Sequence, residues 1–270
     1  MNKKYILSDL DGTLLNDNKD IPNNNISSVK EFQNKNGVFS IATGRCLNSI
    51  KKSIDEIEFN GPAILFNGCV IYDFKKEKIL WQKTLVENKV KKIIDFVLNN
   101  KKYKTTGILI YTIDNTYSFK DNDYILKLIE IEGGGFKERE NFVINSPWIK
   151  VLFADKNEKI KELNEELKKC FDLENIDTSF SLDIYLELLP KGINKGYSLK
   201  KIKSMKEYND FIFYAVGDYY NDYDMLKSAD ISNCPNNAPL EIQKICDNVL
   251  CENNNGVISD LINKIFEGEI

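Results

Sequence analysis

The stretch Ile6-Leu7-Ser8-Asp9-Leu10-Asp11-Gly12-Thr13-Leu14-Leu15 decides how the rest of the chain is read. Tyr5 to Leu7 is a short apolar run of the kind a buried strand makes, and the two carboxylates that follow, with Gly12 and Thr13 behind them, read as its C-terminal turn. Carboxylates at this spacing can face one pocket. At the carboxyl end of a strand in an open α/β sheet they lie where such folds place ligands, and like charges so close call for a cation between them. Such a pair can divide phosphoryl transfer, one member attacking phosphorus while the other gives a proton to the leaving oxygen and later takes one from water. The plainer reading is a strand ending in an Asx-type turn, because Asp, Gly and Thr are common turn residues. A calcium loop fails: aligning Gly12 with that loop's glycine puts Leu7 at the first ligand position and Asn18 where a bidentate glutamate belongs.

Composition narrows the field. With 270 residues, 42% hydrophobic and 29% charged, the chain suits one large or two modest globular domains. The net charge of −4 includes no basic stripe, and the lysine pairs are scattered over helix-like polar faces, so no nucleic-acid partner is expected. No apolar run approaches a membrane span, and the few apolar residues after Asn2-Lys3-Lys4 are too short for a signal peptide; a cytoplasmic protein without membrane partners is expected. Six dispersed cysteines without a C-x-x-C pair read as free thiols. There is no histidine. That excludes Ser-His-Asp and Cys-His nucleophile systems and the usual histidine zinc hydrolases, leaving acid/base work mainly to carboxylates.

Further along, Ile26, Val29 and Phe32 recur at helical spacing, and Val38 to Ala42 is a second buried strand running into Thr43-Gly44-Arg45. Ile50, Ile54 and Ile57 then mark a helix. A strand, a Thr-Gly turn and a helix N-terminus make a phosphate seat, although a threonine N-cap reads equally well. Ala63 to Phe66 is a third strand, ending in Asn67-Gly68, ordinarily just a turn; Val70 to Tyr72 and Ile79 to Trp81 form a hairpin. The alternation predicts an α/β fold with a doubly wound, parallel, Rossmann-like sheet.

Between about Thr84 and Leu188 the pattern changes to α+β: helices at Val90–Leu98, Tyr124–Ile131 and Ile160–Lys169, strands at Ile108–Ile113, Tyr117–Phe119, Ile149–Phe153 and Ile184–Leu188, and a flexible Gly133-Gly134-Gly135. Residues 84–188 are expected to be an inserted domain within a core made of residues 1–83 and 189–270. Asparagine runs such as Asn253-Asn254-Asn255 mark exposed loops. The α/β pattern resumes with Lys195 at a helix start, where the positive dipole end disfavours a cation unless an anion is near; a plain surface lysine is the other reading. Phe211 to Val216 is a strongly apolar strand delivering Gly217-Asp218-Tyr219-Tyr220-Asn221-Asp222. Asp222 could merely cap the next helix, but Asp218 directly after a strand is harder to explain so.

In order, Asp9-x-Asp11-Gly12-Thr13, Thr43-Gly44-Arg45, Lys195 and Gly217-Asp218-x-x-Asn221-Asp222 resemble the four motifs of the haloacid dehalogenase superfamily of phosphatases, in the Cof-type branch with a large α/β cap between the second and third. The resemblance covers essentially the whole chain. It implies Asp9 as the nucleophile that becomes an aspartyl phosphate and Asp11 as general acid/base, with its backbone carbonyl on Mg²⁺. It implies Thr43 and Lys195 on the phosphoryl oxygens, helped by N–H groups of Leu10 and Gly44. Asp218 joins Asp9 on the metal, Asn221 and Asp222 support metal and lysine, and Asn67 and Gly68 line the leaving-group side. Crowding by Asp9 and Asp218 is expected to keep Asp11 protonated. Tyr219, where many relatives have glycine, and Ala229 to Asn237, without the usual small residues, depart from the pattern.

The implied activity is Mg²⁺-dependent hydrolysis of a small soluble phosphomonoester, most plausibly a sugar phosphate. A sugar phosphomutase of the same fold is the nearest alternative; a phosphoacceptor receiver module and a non-catalytic regulator are further ones. Specificity is expected from the inserted block, with Arg139 and the aromatics near Trp148 as candidate contacts.

Overall fold

The computed structural model describes residues 3–53, 56–132, 136–138 and 144–270. In chain order the elements are β1 (Lys3–Ser8), α1 (Asn23–Asn34), β2 (Val38–Ile41), α2 (Leu47–Ser53), β3 (Ala63–Leu65), β4 (Val70–Asp73) and β5 (Lys78–Gln82). Then come α3 (Glu87–Asn99), β6 (Gly107–Tyr111), β7 (Thr116–Lys120), α4 (Asp123–Glu132), β8 (Phe136–Glu138), β9 (Lys150–Ala154), α5 (Asn157–Cys170), β10 (Ile176–Leu182) and β11 (Tyr185–Pro190). The chain finishes with α6 (Lys195–Lys203), β12 (Phe211–Val216), α7 (Tyr223–Ser228), β13 (Ile231–Pro235), α8 (Leu240–Gln243), β14 (Asn248–Leu250) and α9 (Val257–Glu267). These fall into two compact units, one of residues 1–44, 53–82 and 194–270, the other of residues 45–52 and 83–193.

The first unit is built on a five-stranded sheet in the order β14-β13-β12-β1-β2, with every pairing parallel. Sheets of this kind are covered on both faces, which is why β1 and β12 read as continuous apolar runs rather than alternating ones. On one face Tyr5, Leu7, Phe213 and Ala215 pack with Leu199 and Ile202 of α6, Met225 and Leu226 of α7, and Ile242 of α8. Elsewhere in the unit α1 packs along α9. β1 lies between β2, its successor in the chain, and β12, which arrives much later. The chain therefore leaves β1 to one side first and returns on the other, and at such a switch the carboxyl ends of the strands open a crevice. Asp9, Thr43 and Asp218 all lie just beyond those ends.

Two sequence expectations are corrected. β3 is not a full member of the five-stranded sheet: it pairs antiparallel with β4 in a three-stranded β3-β4-β5 sheet, and it runs parallel beside the β2 segment through the Ala42–Ile64 bridge. Among the described residues α2 spans Leu47–Ser53, so Arg45 and Cys46 intervene between Gly44 and the helix. Ile57 is buried beyond its end, and Ile54 lies outside the described residues.

The second unit carries a six-stranded sheet in the order β10-β11-β9-β6-β7-β8, antiparallel except for the β7–β8 pair. Ile108, Ile110, Val151, Phe153, Leu186 and Leu188 pack there against Val90, Ile93, Ile94 and Val97 of α3 and Ile160, Leu163 and Leu167 of α5. Trp148 is fully buried in this core, so its ring is structural and not an exposed contact for a ligand. Arg139 and Gly133-Gly134-Gly135 lie outside the described residues. Two edge strands have no counterpart in the sequence reading. β10 is polar and partly exposed, as edge strands tend to be, and β8 is only three residues long. Cysteines 46, 69, 170, 234, 246 and 251 are all free thiols. Among the described residues no helix is long and apolar enough to cross a membrane.

Candidate functional site

Backbone pairing sets the frame of the crevice. Asp9 N donates to Val216 O at 2.8 Å and Ala42 N to Ser8 O at 2.8 Å, so the ends of β1, β2 and β12 are held level. Asp9, 6% exposed as a residue, meets Lys195, which is fully buried. Lys195 Nζ donates to Asp9 Oδ1 and to Asp222 Oδ1, each at 2.6 Å. The anion that a cation at a helix start demands is thus a pair of carboxylates. Lys195 opens α6 directly behind the N-cap Asn194, whose Oδ1 accepts from Tyr197 N at 2.8 Å.

Asp222 works in two directions. While Oδ1 takes the lysine, Oδ2 accepts the backbone N–H groups of Asp218 at 3.1 Å and Tyr219 at 3.2 Å, fixing the loop that presents Asp218. Asp218 Oδ1 in turn accepts from Thr13 Oγ1 at 3.1 Å. Thr13, read from sequence as an ordinary turn residue, is fully buried and orients an acid from the far end of the chain. Gly12 allows the approach: its φ is +79°, and a Cβ there would sit 2.4 Å from Asp218 Oδ2.

A second set of contacts runs along the other side. Thr43 is buried, its N donates to Ile64 O at 2.8 Å, and its carbonyl accepts from Asn67 N at 3.0 Å. Gly44 lies against the Asn67 amide, whose Oδ1 accepts from Asn221 Nδ2 at 3.3 Å. Gly68 has φ +109°, and a Cβ there would lie 2.2 Å from Asn194 O, while its carbonyl accepts from Ser198 Oγ at 2.6 Å. The segment before Lys195 and the Asn67-Gly68 turn therefore pack backbone to backbone. Leu10 is fully buried, and its carbonyl accepts from Leu15 N at 2.8 Å. Asp11 stands apart from the three acids that converge. It is half-exposed, and its Oδ1 accepts from Lys19 Nζ at 2.9 Å. A lysine beside it was not part of the crowded-carboxylate expectation.

Asp9, Asp218 and Asp222 bring carboxylate oxygens within 4.8 Å of one another, with Lys195 the ammonium bonded to two of them. Burial, and then the charge of Asp222, push the Asp9 carboxyl well above its usual range against the pull of Lys195. Burial and Asp222 likewise lift Asp218 to about 6, although the Thr13 hydroxyl draws it down. Burial alone would lower Lys195, but Asp222 and Asp9 outweigh it and raise it above its ordinary value. Three acids against one ammonium leave an excess of negative charge among hard oxygen donors, a donor set that fits a hard divalent cation.

A stability consequence follows from Asp218. A carboxyl raised in the folded protein contributes fully below its unfolded pKa, and the contribution is lost as pH rises through about 6. Metal-free Asp218→Asn, which keeps an acceptor for Thr13, is expected to be more stable than wild type at about pH 8, by roughly 1–3 kcal/mol, and no more stable at about pH 4. Thermal melts of both proteins at the two pH values measure this.

The model of the haloacid dehalogenase-like hydrolases matches residues 6–262. Phosphoglycolate phosphatase 2 of Saccharolobus solfataricus is 29% identical over 273 residues, covering 99% of this chain and 94% of that protein. The 5-amino-6-(5-phospho-D-ribitylamino)uracil phosphatase YcsE of Bacillus subtilis is 26% identical over 245 residues, with 90% and 88% covered. A haloacid dehalogenase-like hydrolase from Bacteroides thetaiotaomicron superposes with a TM-score of 0.87 at 25% identity, over 98% of this chain and all of that one. A match this long, on a fold shared from end to end, makes the chain a member of the haloacid dehalogenase-like hydrolases.

Proposed function

We propose that the protein is a Mg²⁺-dependent phosphatase of small phosphomonoesters, sugar phosphates above all, acting through an aspartyl phosphate on Asp9. The observation that carries this reading is the Asp9 carboxylate, bonded to a buried lysine at 2.6 Å beside two further acids. An anionic carboxylate approaching an anionic phosphate is repelled unless cations offset both, and Lys195 is one such cation already in place. An oxygen of Asp9 forms the bond to phosphorus while the bond from phosphorus to the ester oxygen breaks. Asp11 gives that oxygen its proton, and the alcohol leaves. Water then attacks phosphorus, Asp11 takes its proton, and Asp9 is released with inorganic phosphate. The Thr43 hydroxyl and the N–H groups of Leu10 and Gly44 hold phosphoryl oxygens, and Asn67 and Gly68 face the departing group.

Mg²⁺, when bound by Asp9, Asp218 and the Asp11 carbonyl with support from Asn221 and Asp222, supplies the remaining charge neutralisation. Residues 84–188 serve as the cap that selects the substrate, and the protein works in the cytoplasm on a free metabolite, without nucleic acid or membrane. Two relatives are named for phosphomonoesters of small molecules, which supports the substrate class.

The test is release of inorganic phosphate from a panel of sugar and nucleotide monophosphates. Turnover is expected with Mg²⁺, loss of it on chelation, and recovery on adding Mg²⁺ back. Phosphate passed to another sugar hydroxyl instead of water would identify a phosphomutase. Turnover unaffected by chelation would remove the metal from the proposal.

A further inference from the structure

The loop after Asp11 is tied down by side chains from near the other end of the chain. Asn16 N donates to Asp20 O at 2.9 Å, Lys19 N to Asn16 O at 3.0 Å, and Asp20 N to Asn16 Oδ1 at 2.9 Å, closing a tight turn. Asp17, within it, accepts from Asn253 Nδ2 at 3.1 Å and Asn254 Nδ2 at 2.9 Å, and its own N–H donates to Asn254 Oδ1 at 3.0 Å. Asn253 Nδ2 also donates to Leu15 O at 3.1 Å. Asn237 adds a clamp on the near side, donating to Gly12 O at 3.0 Å while its Oδ1 accepts from Asn253 N at 3.1 Å. The asparagine run that reads from sequence as an exposed loop is thus a fastening.

What the turn holds is Lys19 in a left-handed backbone conformation, φ 68°. A residue with a Cβ adopts that region at an energetic cost and persists there when its surroundings over-determine it. From that position its ammonium reaches Asp11 Oδ1 at 2.9 Å. An exposed ion pair alone contributes little to stability, so its strained and clamped backbone points to another use.

We infer that Lys19 is a positioning residue for Asp11, held in place by the Asp17–Asn253–Asn254 clamp. With Oδ1 engaged by Lys19, the Asp11 carboxyl is fixed in rotation. This inference rests on the phosphatase reading and deepens it. It adds no group to the reaction: the proton still passes from Asp11 to the leaving oxygen.

Leaving groups separate this role from a structural one. A sugar alkoxide must be protonated as it departs, whereas p-nitrophenolate leaves unaided, and kcat/KM reports only the steps through that departure. Lys19→Met is therefore expected to lower kcat/KM for a sugar phosphate by about tenfold or more, with p-nitrophenyl phosphate within about twofold of wild type. Lys19→Arg should keep most of the sugar phosphate activity, and Asn254→Ala should show a smaller loss with the same selectivity. The p-nitrophenyl phosphate rate itself reports whether each variant is folded. Equal losses on both substrates, or no loss on either, would overturn the assignment of Lys19. Wild type releasing phosphate from neither substrate would instead bring down the phosphatase reading beneath it.

Discussion

Asp9→Asn is expected to abolish phosphate release while leaving a folded protein. The substitution keeps an oxygen for Lys195 Nζ, now 2.6 Å from Asp9 Oδ1, but an amide is too poor a nucleophile to attack phosphorus. Loss of a nucleophile typically lowers kcat by on the order of 10⁴–10⁶-fold. Uncatalysed phosphate monoester hydrolysis is slow enough that this leaves no measurable turnover. The fold should survive because the variant removes one of three crowded acids while Asp222 still pairs the lysine. Phosphate release assays with matched thermal melts check both halves. Near-normal turnover in this variant would show that Asp9 is not the atom donor to phosphorus.

Lys195→Met is expected to be damaging in a different way. Methionine matches much of the lysine's length, so the loss is one of charge more than of volume. What remains is Asp9 beside Asp222, both buried, with no ammonium between them. Breaking a buried pair by removing one partner costs about 3–5 kcal/mol, a large share of the roughly 5–15 kcal/mol that holds a domain together. Turnover is lost as well. Denaturant titration measures the stability change, and the double variant Lys195→Met/Asp222→Asn should recover part of it, because it removes one of the stranded charges. A single variant as stable as wild type would mean that the cluster does not depend on the lysine.

Much of this site is legible in the sequence because each part breaks a local rule. Carboxylates directly after the apolar runs Tyr5–Leu7 and Phe211–Val216 have no business at the end of a buried strand unless something cationic awaits them. Lys195 at a helix start poses the same question with the sign reversed, and the fold answers both with one cluster. The parts that stay hidden are those whose meaning depends on distant partners. Thr13 looks like a turn residue until Asp218 is beside it, and nothing near Lys19 in sequence announces the grip of Asn253 and Asn254 on its turn. Element boundaries fail for local reasons. β10 is a polar edge strand with little apolar alternation, and the isoleucine spacing that extends α2 to Ile57 counts a residue buried beyond the helix end. β3 carries an ordinary buried-strand pattern that fits an antiparallel neighbour as well as a parallel one, and only the pairing tells them apart.

The placing of β1 also governs how the molecule comes into being. During synthesis it finds β2 soon after it emerges, but its other neighbour is β12, with Lys3 opposite Phe211, and that partner is made only after the whole β2–β11 stretch. Until then one edge of this strand stays bare, open to mispairing with other chains. The intervening β6–β11 segment, whose strands pair among themselves, can mature meanwhile. The nascent chain is thus most exposed to aggregation at β1, and the crevice beyond the strand ends forms only once β12 is in place.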